Sequence, residues 1–120
     1  MDIQFFANPN HVPKPPSEVV IESLKVTPYP DRFRIYIEIK VTPFQERPNL
    51  FLVLRRSDGQ QVGELSIIAT MHNQMEFTMH VRGVDDPAGE YTMDAELFYE
   101  TRQPPQDQQQ ITFSIPEAEA

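Results

Sequence analysis

The sequence predicts an all-β fold, a two-layer sandwich of seven antiparallel strands. Apolar side chains recur at every second residue in seven separate segments, which is the period of a half-buried strand. Turn residues separate these segments at intervals of about 8 to 12 residues, the spacing typical of sandwiches. The 12 prolines fall between the segments or in the N-terminal stretch, and proline is rare inside central strands.

The first two strands are predicted over residues 19–26 and 33–41. In the first strand the apolar spacing slips by one residue near Ser23, which indicates a β-bulge. The second strand alternates strictly between apolar and polar residues, so one face is buried and the other faces water. The polar turn that contains Pro30 joins the two strands.

The third strand, residues 50–54, is apolar on both faces. Its two alternating sets are Leu50, Leu52 and Leu54 on one face and Phe51 and Val53 on the other. Such a strand is either covered on both sides or presents an apolar outer face. Asp58-Gly59 then predicts a hairpin, because glycine takes positive φ without steric cost. The returning fourth strand is predicted over residues 62–70.

The last three strands are predicted over residues 75–81, 91–99 and 111–115, each with the same alternation. A loop rich in glutamine and proline, residues 103–109, is predicted between the sixth and seventh strands.

Three parts make up the predicted domain organisation. Residues 1–17 form an extended, proline-rich N-terminal arm, residues 18–116 form the sandwich, and residues 117–120 form a frayed C-terminal tail. Phe5 and Phe6 are the large apolar exceptions in a polar arm.

The segment Asp85-Asp86-Pro87-Ala88-Gly89-Glu90-Tyr91-Thr92-Met93 resembles the corner before the sixth strand of immunoglobulin-like domains. In those domains a tyrosine hydroxyl donates a hydrogen bond to the corner backbone. Tyr91 would take that part, with Met93 in place of the cysteine of antibody domains. The resemblance, to the immunoglobulin-like and fibronectin type III-like β-sandwich superfamily, implies a seven-stranded immunoglobulin-like antiparallel sandwich. Strands 1, 2 and 5 would form one sheet and strands 4, 3, 6 and 7 the other, with no specific function implied.

Charge and composition exclude several classes of function. The net charge of −8 argues against nucleic acid and anionic membranes as partners, because both attract clustered lysine and arginine. The absence of cysteine excludes disulfides, thiolate zinc sites and cysteine nucleophiles. Neither a signal peptide nor an apolar run of ~20 residues occurs, so we expect a cytoplasmic protein. A chain cut from a longer protein could instead be extracellular.

The sequence predicts no enzyme and no cofactor. It contains no phosphate-binding loop and no nucleophile elbow, and a packed small sandwich leaves little room for a small-molecule ligand. His11, His72 and His80 lack the spacing of metal ligands. Asp85, Asp86 and Glu90 share one loop, which either binds calcium through its carboxylates or simply follows turn chemistry.

Four residues are predicted to face outward on the sheet of strands 4, 3, 6 and 7: Phe51, Val53, Ile68 and Phe98. An apolar patch rimmed by charges is typical of a protein interface. Either a protein binds this patch, with a homodimer as one form, or the arm covers it through Phe5 and Phe6. The predicted function is therefore a non-catalytic protein-interaction or structural module. The alternative is a calcium- or carbohydrate-dependent adhesion module, against which the absence of tryptophan stands.

Overall fold

The computed structural model describes residues 12–119 and contains seven β-strands and one short 3-10 turn, Pro16–Glu18. The strands are β1 (Ile21–Pro28), β2 (Arg34–Val41), β3 (Asn49–Arg56), β4 (Gln61–Ile67), β5 (Gln74–His80), β6 (Gly89–Phe98) and β7 (Asp107–Ile115). Within this part of the chain, no helix has the length and the apolar character needed to cross a membrane.

The strands form two antiparallel sheets that face each other. One sheet has the order β1-β2-β5 and the other has the order β4-β3-β6-β7. This is the division that the immunoglobulin-like resemblance implies, so the predicted fold class is confirmed. The order also fixes which side chains share an outer face, because alternate residues of each strand point away from the core.

The core lies between the two sheets and is built from the inward sets that the alternation predicts. Its most completely buried aliphatic side chains include Ile35 and Ile37 on β2 and the three leucines of β3, Leu50, Leu52 and Leu54. Burying each such side chain contributes roughly 1.5–3 kcal/mol to folding. These leucines fix the facing of β3, because their burial forces Phe51 and Val53 to the opposite side of the strand.

The corner before β6 has the geometry expected from the resemblance. The Tyr91 hydroxyl donates a hydrogen bond to the carbonyl oxygen of Pro87 over 2.6 Å, and this contact is buried. The Tyr91 ring stacks on Phe113 with 5.6 Å between ring centres. Met93 is fully buried, two residues further on, so it fills the core where antibody domains place a cysteine.

The hairpin between β3 and β4 is also confirmed. Gly59 has φ of 92°, the left-handed region that glycine enters without strain. The Gln60 N–H donates to Oδ1 of Asp58 over 2.8 Å, and the Arg56 N–H donates to the Gln60 carbonyl oxygen over 2.8 Å.

The bulge predicted near Ser23 is present, since the register between β1 and β2 shifts between Ile21 and Ser23. Ahead of it, the chain lies beside the connection between β2 and β3, where Lys14 forms an isolated parallel bridge with Phe44.

Most strand ends lie within two residues of the sequence prediction, and two differ by more. β4 ends at Ile67 rather than at residue 70, because Ala69 has φ of 50° and its N–H donates to Oδ1 of Asn49. β7 begins at Asp107, so the predicted loop over residues 103–109 was wrong at its end. The first residues of β7 are mostly glutamines and show no apolar alternation. Asp107 pairs with Leu97 of β6, a tertiary contact that the local pattern does not indicate.

Candidate interaction surface

The outer face of the four-stranded sheet carries the residues that the sequence analysis singled out. Across this face, Phe51 lies opposite Ser66 of β4 and Glu96 of β6, and Phe98 lies opposite Asn49. Val53 follows one row further along β3. Ile68 lies one residue beyond β4, at the same end of the sheet as Phe98. We call Phe51, Val53, Ile68 and Phe98 the outer patch.

The exposure of the outer patch is less uniform than the sequence suggests. Ile68 is 74% exposed, whereas Val53 is only 5% exposed and Phe51 and Phe98 are half-buried. The Arg102 guanidinium covers part of Phe51, because its central carbon lies 4.3 Å from the centre of that ring. Phe51 and Val53 are in the outward phase of β3, as predicted, but of the four residues only Ile68 is largely exposed to solvent.

Four of the charged side chains around the outer patch form two ion pairs, whereas Glu64, which lies opposite Val53 on β4, accepts a hydrogen bond from Gln61 and forms no ion pair within residues 12–119. Arg55 contacts Asp94 at 3.1 Å, and Arg102 contacts Glu96 at 3.4 Å. Gln110 on β7 donates a further hydrogen bond to Asp94 over 2.7 Å. The two ion pairs compensate four of the charges on this face, and the Glu64 carboxylate remains beside Val53.

A shallow groove of about 310 Å³ runs along this face. Its lining is Phe51, Val53, Arg55, Asp94, Glu96, Arg102, Gln103 and Gln108. The accessible lining of the groove is mostly polar, with two ion pairs around Phe51 and the nearly buried Val53, and the groove lies on the same face as the protruding Ile68 side chain.

The two arm residues of the predicted interface, Phe5 and Phe6, lie outside the residues that the structure describes, as does His11.

The candidate calcium loop does not assemble a ligand set. Oδ1 of Asp86 accepts hydrogen bonds from the Ala88 N–H over 3.1 Å and from the Arg32 guanidinium over 3.4 Å. The Ala88 N–H, with help from Arg32, holds the pKa of the Asp86 carboxyl below its usual value. Within residues 12–119 no three histidine, aspartate or glutamate side chains are close enough to hold a metal ion. The hydrogen bond from Ala88 to Asp86 is ordinary turn chemistry, and the Arg32 guanidinium lies beside the same carboxylate.

A pair of tyrosines on the outer face of the three-stranded sheet escaped the sequence analysis. The rings of Tyr29 and Tyr36 meet edge to face, with 6.3 Å between their centres. The Tyr36 hydroxyl donates to Glu76 over 2.5 Å, and this hydrogen bond raises the pKa of Tyr36 to about 12. The signal available in the sequence was the position of Tyr36 in the polar phase of β2.

Tyr29 of this pair is already in contact with other side chains of the same chain. The Arg34 guanidinium lies over the Tyr29 ring, 4.4 Å from its centre, and the Tyr29 hydroxyl lies 3.1 Å from the hydroxyl of Thr78. A sugar ring that stacks on an aromatic side chain needs a free ring face, so Arg34 competes with a carbohydrate for Tyr29.

Comparisons with known proteins find similarity of structure without similarity of sequence. No protein-family model and no curated protein matches the chain. A glycosyl hydrolase family 2 member from Bacteroides cellulosilyticus matches with a TM-score of 0.65 at 12% identity, over 81% of this chain and 14% of that one. A Bifidobacterium dentium β-glucuronidase, solved with coumarin-3-O-glucuronide, matches with a TM-score of 0.64 at 18% identity, over 83% and 18%.

A Parabacteroides merdae β-glucuronidase matches with a TM-score of 0.54 at 10% identity, over 81% of this chain and 14% of that one. The chain thus spans less than a fifth of the length of each of these three enzymes. At such low identity the comparisons establish the β-sandwich fold.

Proposed function

We propose that this chain is a non-catalytic interaction module that binds a second copy of itself through the outer patch. The observation that carries the proposal is the coexistence, on one sheet face, of an exposed apolar side chain, Ile68, and a groove whose mostly polar lining includes Phe51 and Val53. A surface that holds both a projection and a recess can pair with its own copy about a two-fold axis.

Neither of the two aspartates with a clearly shifted pKa, Asp31 and Asp86, is suited to act as a general acid. A carboxyl group that acts as a general acid near neutral pH needs a raised pKa. The two described carboxyls with a clear shift both move the other way, Asp31 through its hydrogen bond from Arg34 and Asp86 through the Ala88 N–H. Both are therefore held as anions.

The comparisons bear on the non-catalytic part of the proposal. In long glycosyl hydrolase chains this fold forms a small share of the whole, between 14% and 18% for the first two matches. A sandwich of this type is thus compatible with a supporting part of a larger assembly.

Charge favours a second copy as the occupant of the outer patch. Two chains of net charge −8 repel each other unless they meet where their own charges are compensated. The outer patch is closer to such a place than most of the surface, because Arg55 pairs with Asp94 and Arg102 pairs with Glu96, so that Glu64 is the carboxylate left beside Val53. Two sheets that pack face to face then exclude water from Ile68 of each copy.

Sedimentation velocity of wild type and Ile68→Asp tests the proposal. Ile68 is largely exposed, so the aspartate leaves folding intact while it places an unpaired charge in the contact. We expect wild type to sediment as a species larger than the 13.9 kDa monomer and Ile68→Asp to form a smaller species at the same concentration. Val20→Asp is the control, because Val20 is 43% exposed and lies ahead of β1 rather than on the four-stranded sheet.

The outcome that overturns the proposal is equally specific. A wild-type protein that remains monomeric up to high micromolar concentration, or an Ile68→Asp variant that associates as wild type does, removes the outer patch as the contact. Circular dichroism and thermal unfolding establish that all three proteins are folded.

A further inference from the structure

The outer edge of β7 differs from the other three sheet edges. β7 is the last strand of its sheet and pairs with β6 over nine positions, from Asp107 opposite Leu97 to Ile115 opposite Gly89, without a register shift. Residues 108–115 contain neither a charged residue nor a proline. A long, regular and uncharged edge strand is a template for pairing with another strand.

The other edges carry the features that prevent such pairing. β1 has the bulge after Ile21, a lysine at position 25 and Pro28 at its end. β4 has a register shift opposite the Leu54–Arg55 step and carries Glu64. β5 carries Glu76 in its middle. Bulges, charges and prolines are the usual protections of an edge strand, and β7 lacks all three over residues 108–115.

Within residues 12–119 no strand pairs with the outer edge of β7. The neighbouring strand, β1, is reached by side chains at the beginning of β7: Asp107 and Gln109 both hydrogen-bond to the backbone of Ile21. Beyond Gln109, the side chains of Gln110, Thr112 and Ser114 are exposed on the outer face.

We propose that β7 pairs antiparallel with β7 of a second copy, so that two four-stranded sheets become one sheet of eight strands. A two-fold axis at Ile111 would place Gln110 opposite Thr112 and Gln108 opposite Ser114, with backbone hydrogen bonds on both sides of the axis. This inference goes beyond the proposed function, because it concerns a different surface and does not depend on the outer patch.

Charge again argues for a second copy. The chain has a net charge of −8, but residues 108–115 contain no carboxylate. Two copies can therefore approach along this strand edge without placing negative charges opposite each other. An extended peptide of another protein and the chain's own residues 1–11 are the competing occupants, and the experiment separates them from a second copy.

The double variant Gln110→Lys plus Thr112→Lys tests the pairing. In the proposed dimer the lysine introduced at position 110 lies opposite the lysine introduced at position 112 of the other copy, so like charges face each other twice. The net charge changes from −8 to −6, which by itself reduces repulsion between copies. We expect the variant to sediment as a smaller species than wild type. The matched control is Gln74→Lys plus Thr78→Lys, which adds the same charge to exposed positions of β5, an edge strand of the other sheet.

Hydrogen–deuterium exchange of the wild type provides the second measurement. If a second copy covers the edge, the protection of amides in residues 108–115 rises with protein concentration. Protection that is independent of concentration would assign the edge to the chain's own N-terminal residues and overturn the inference, and so would an absence of protection at every concentration. Gln110 also hydrogen-bonds Asp94 on the outer face, so the β7 double variant and its control are measured in the Ile68→Asp background as well as in wild type. An effect of the double variant in that background belongs to the β7 edge, and failure of one interface is then distinguishable from failure of the other.

Discussion

The backbone N–H of Ile21 donates a hydrogen bond to Oδ2 of Asp107, 2.7 Å away, and thereby links the two sheets of the sandwich. On the other side of the same residue, Nε2 of Gln109 donates to the Ile21 carbonyl oxygen over 2.7 Å. Two side chains of β7 thus bind both backbone groups of one residue of β1. This arrangement explains why a polar segment forms the first part of β7.

Asp107→Ala should destabilise the protein measurably. The substitution leaves a partly buried N–H of Ile21 without its acceptor, and we expect a loss of about 2 kcal/mol in the free energy of unfolding. Asp107→Asn keeps a carbonyl oxygen and should cost less. Urea denaturation measures both, with Gln108→Ala on the exposed face as control. A loss for Gln108→Ala as large as that for Asp107→Ala would contradict a specific role for this hydrogen bond.

Tyr91→Phe removes the hydroxyl that binds the Pro87 carbonyl oxygen over 2.6 Å. Because the contact is buried, the acceptor loses its partner without gaining water, and we expect a cost of about 1–2 kcal/mol. Tyr99→Phe is the matched control, since the Tyr99 hydroxyl binds the Glu46 carbonyl oxygen over 3.0 Å at an exposed position. The thermal midpoint should fall further for Tyr91→Phe, and the reverse order would refute the corner's stabilising role.

The Tyr36 hydroxyl should lose its proton at a higher pH than the hydroxyl of an ordinary tyrosine. Its hydrogen bond to Glu76 raises the pKa of Tyr36 from 10.0 to about 12 in the folded protein. Above the unfolded pKa, the folded state holds a proton that the unfolded state has released, so stability falls as pH rises between 10 and 12. Ultraviolet titration of Glu76→Gln should reveal one tyrosine with a lower pKa than in wild type. An unchanged titration curve would contradict the contact.

The sequence was sufficient for the strands whose apolar alternation is complete. β2 and β3 follow directly from their inward isoleucines and leucines, and the corner of Tyr91 follows from a local motif. The start of β7 could not be predicted, because Asp107 and Gln109 are held by Ile21, which is 86 residues away from Asp107. Local patterning carries no information about such a partner.

The outer patch illustrates the same limit. Strand period alone predicts that Phe51 points outward, and it does. Whether an outward side chain is exposed depends on what folds over it, and here Arg102 comes from the connection between β6 and β7. Long arginine side chains cover apolar surface with their stems and guanidinium planes. A prediction made from the outward phase alone therefore overestimates the exposed apolar area.

Arg102→Ala should therefore uncover Phe51 and increase the apolar surface of the outer face. We expect stronger fluorescence of a bound apolar dye, with a loss of stability below about 1 kcal/mol because the Arg102–Glu96 pair is partly exposed to solvent. Arg55→Ala is the matched control: it removes the same charge from the same face, and Arg55 pairs with Asp94 at 3.1 Å. Since the dye responds to uncovered aromatic surface rather than to charge, equal fluorescence for the two variants would mean that Arg102 does not shield Phe51 in solution.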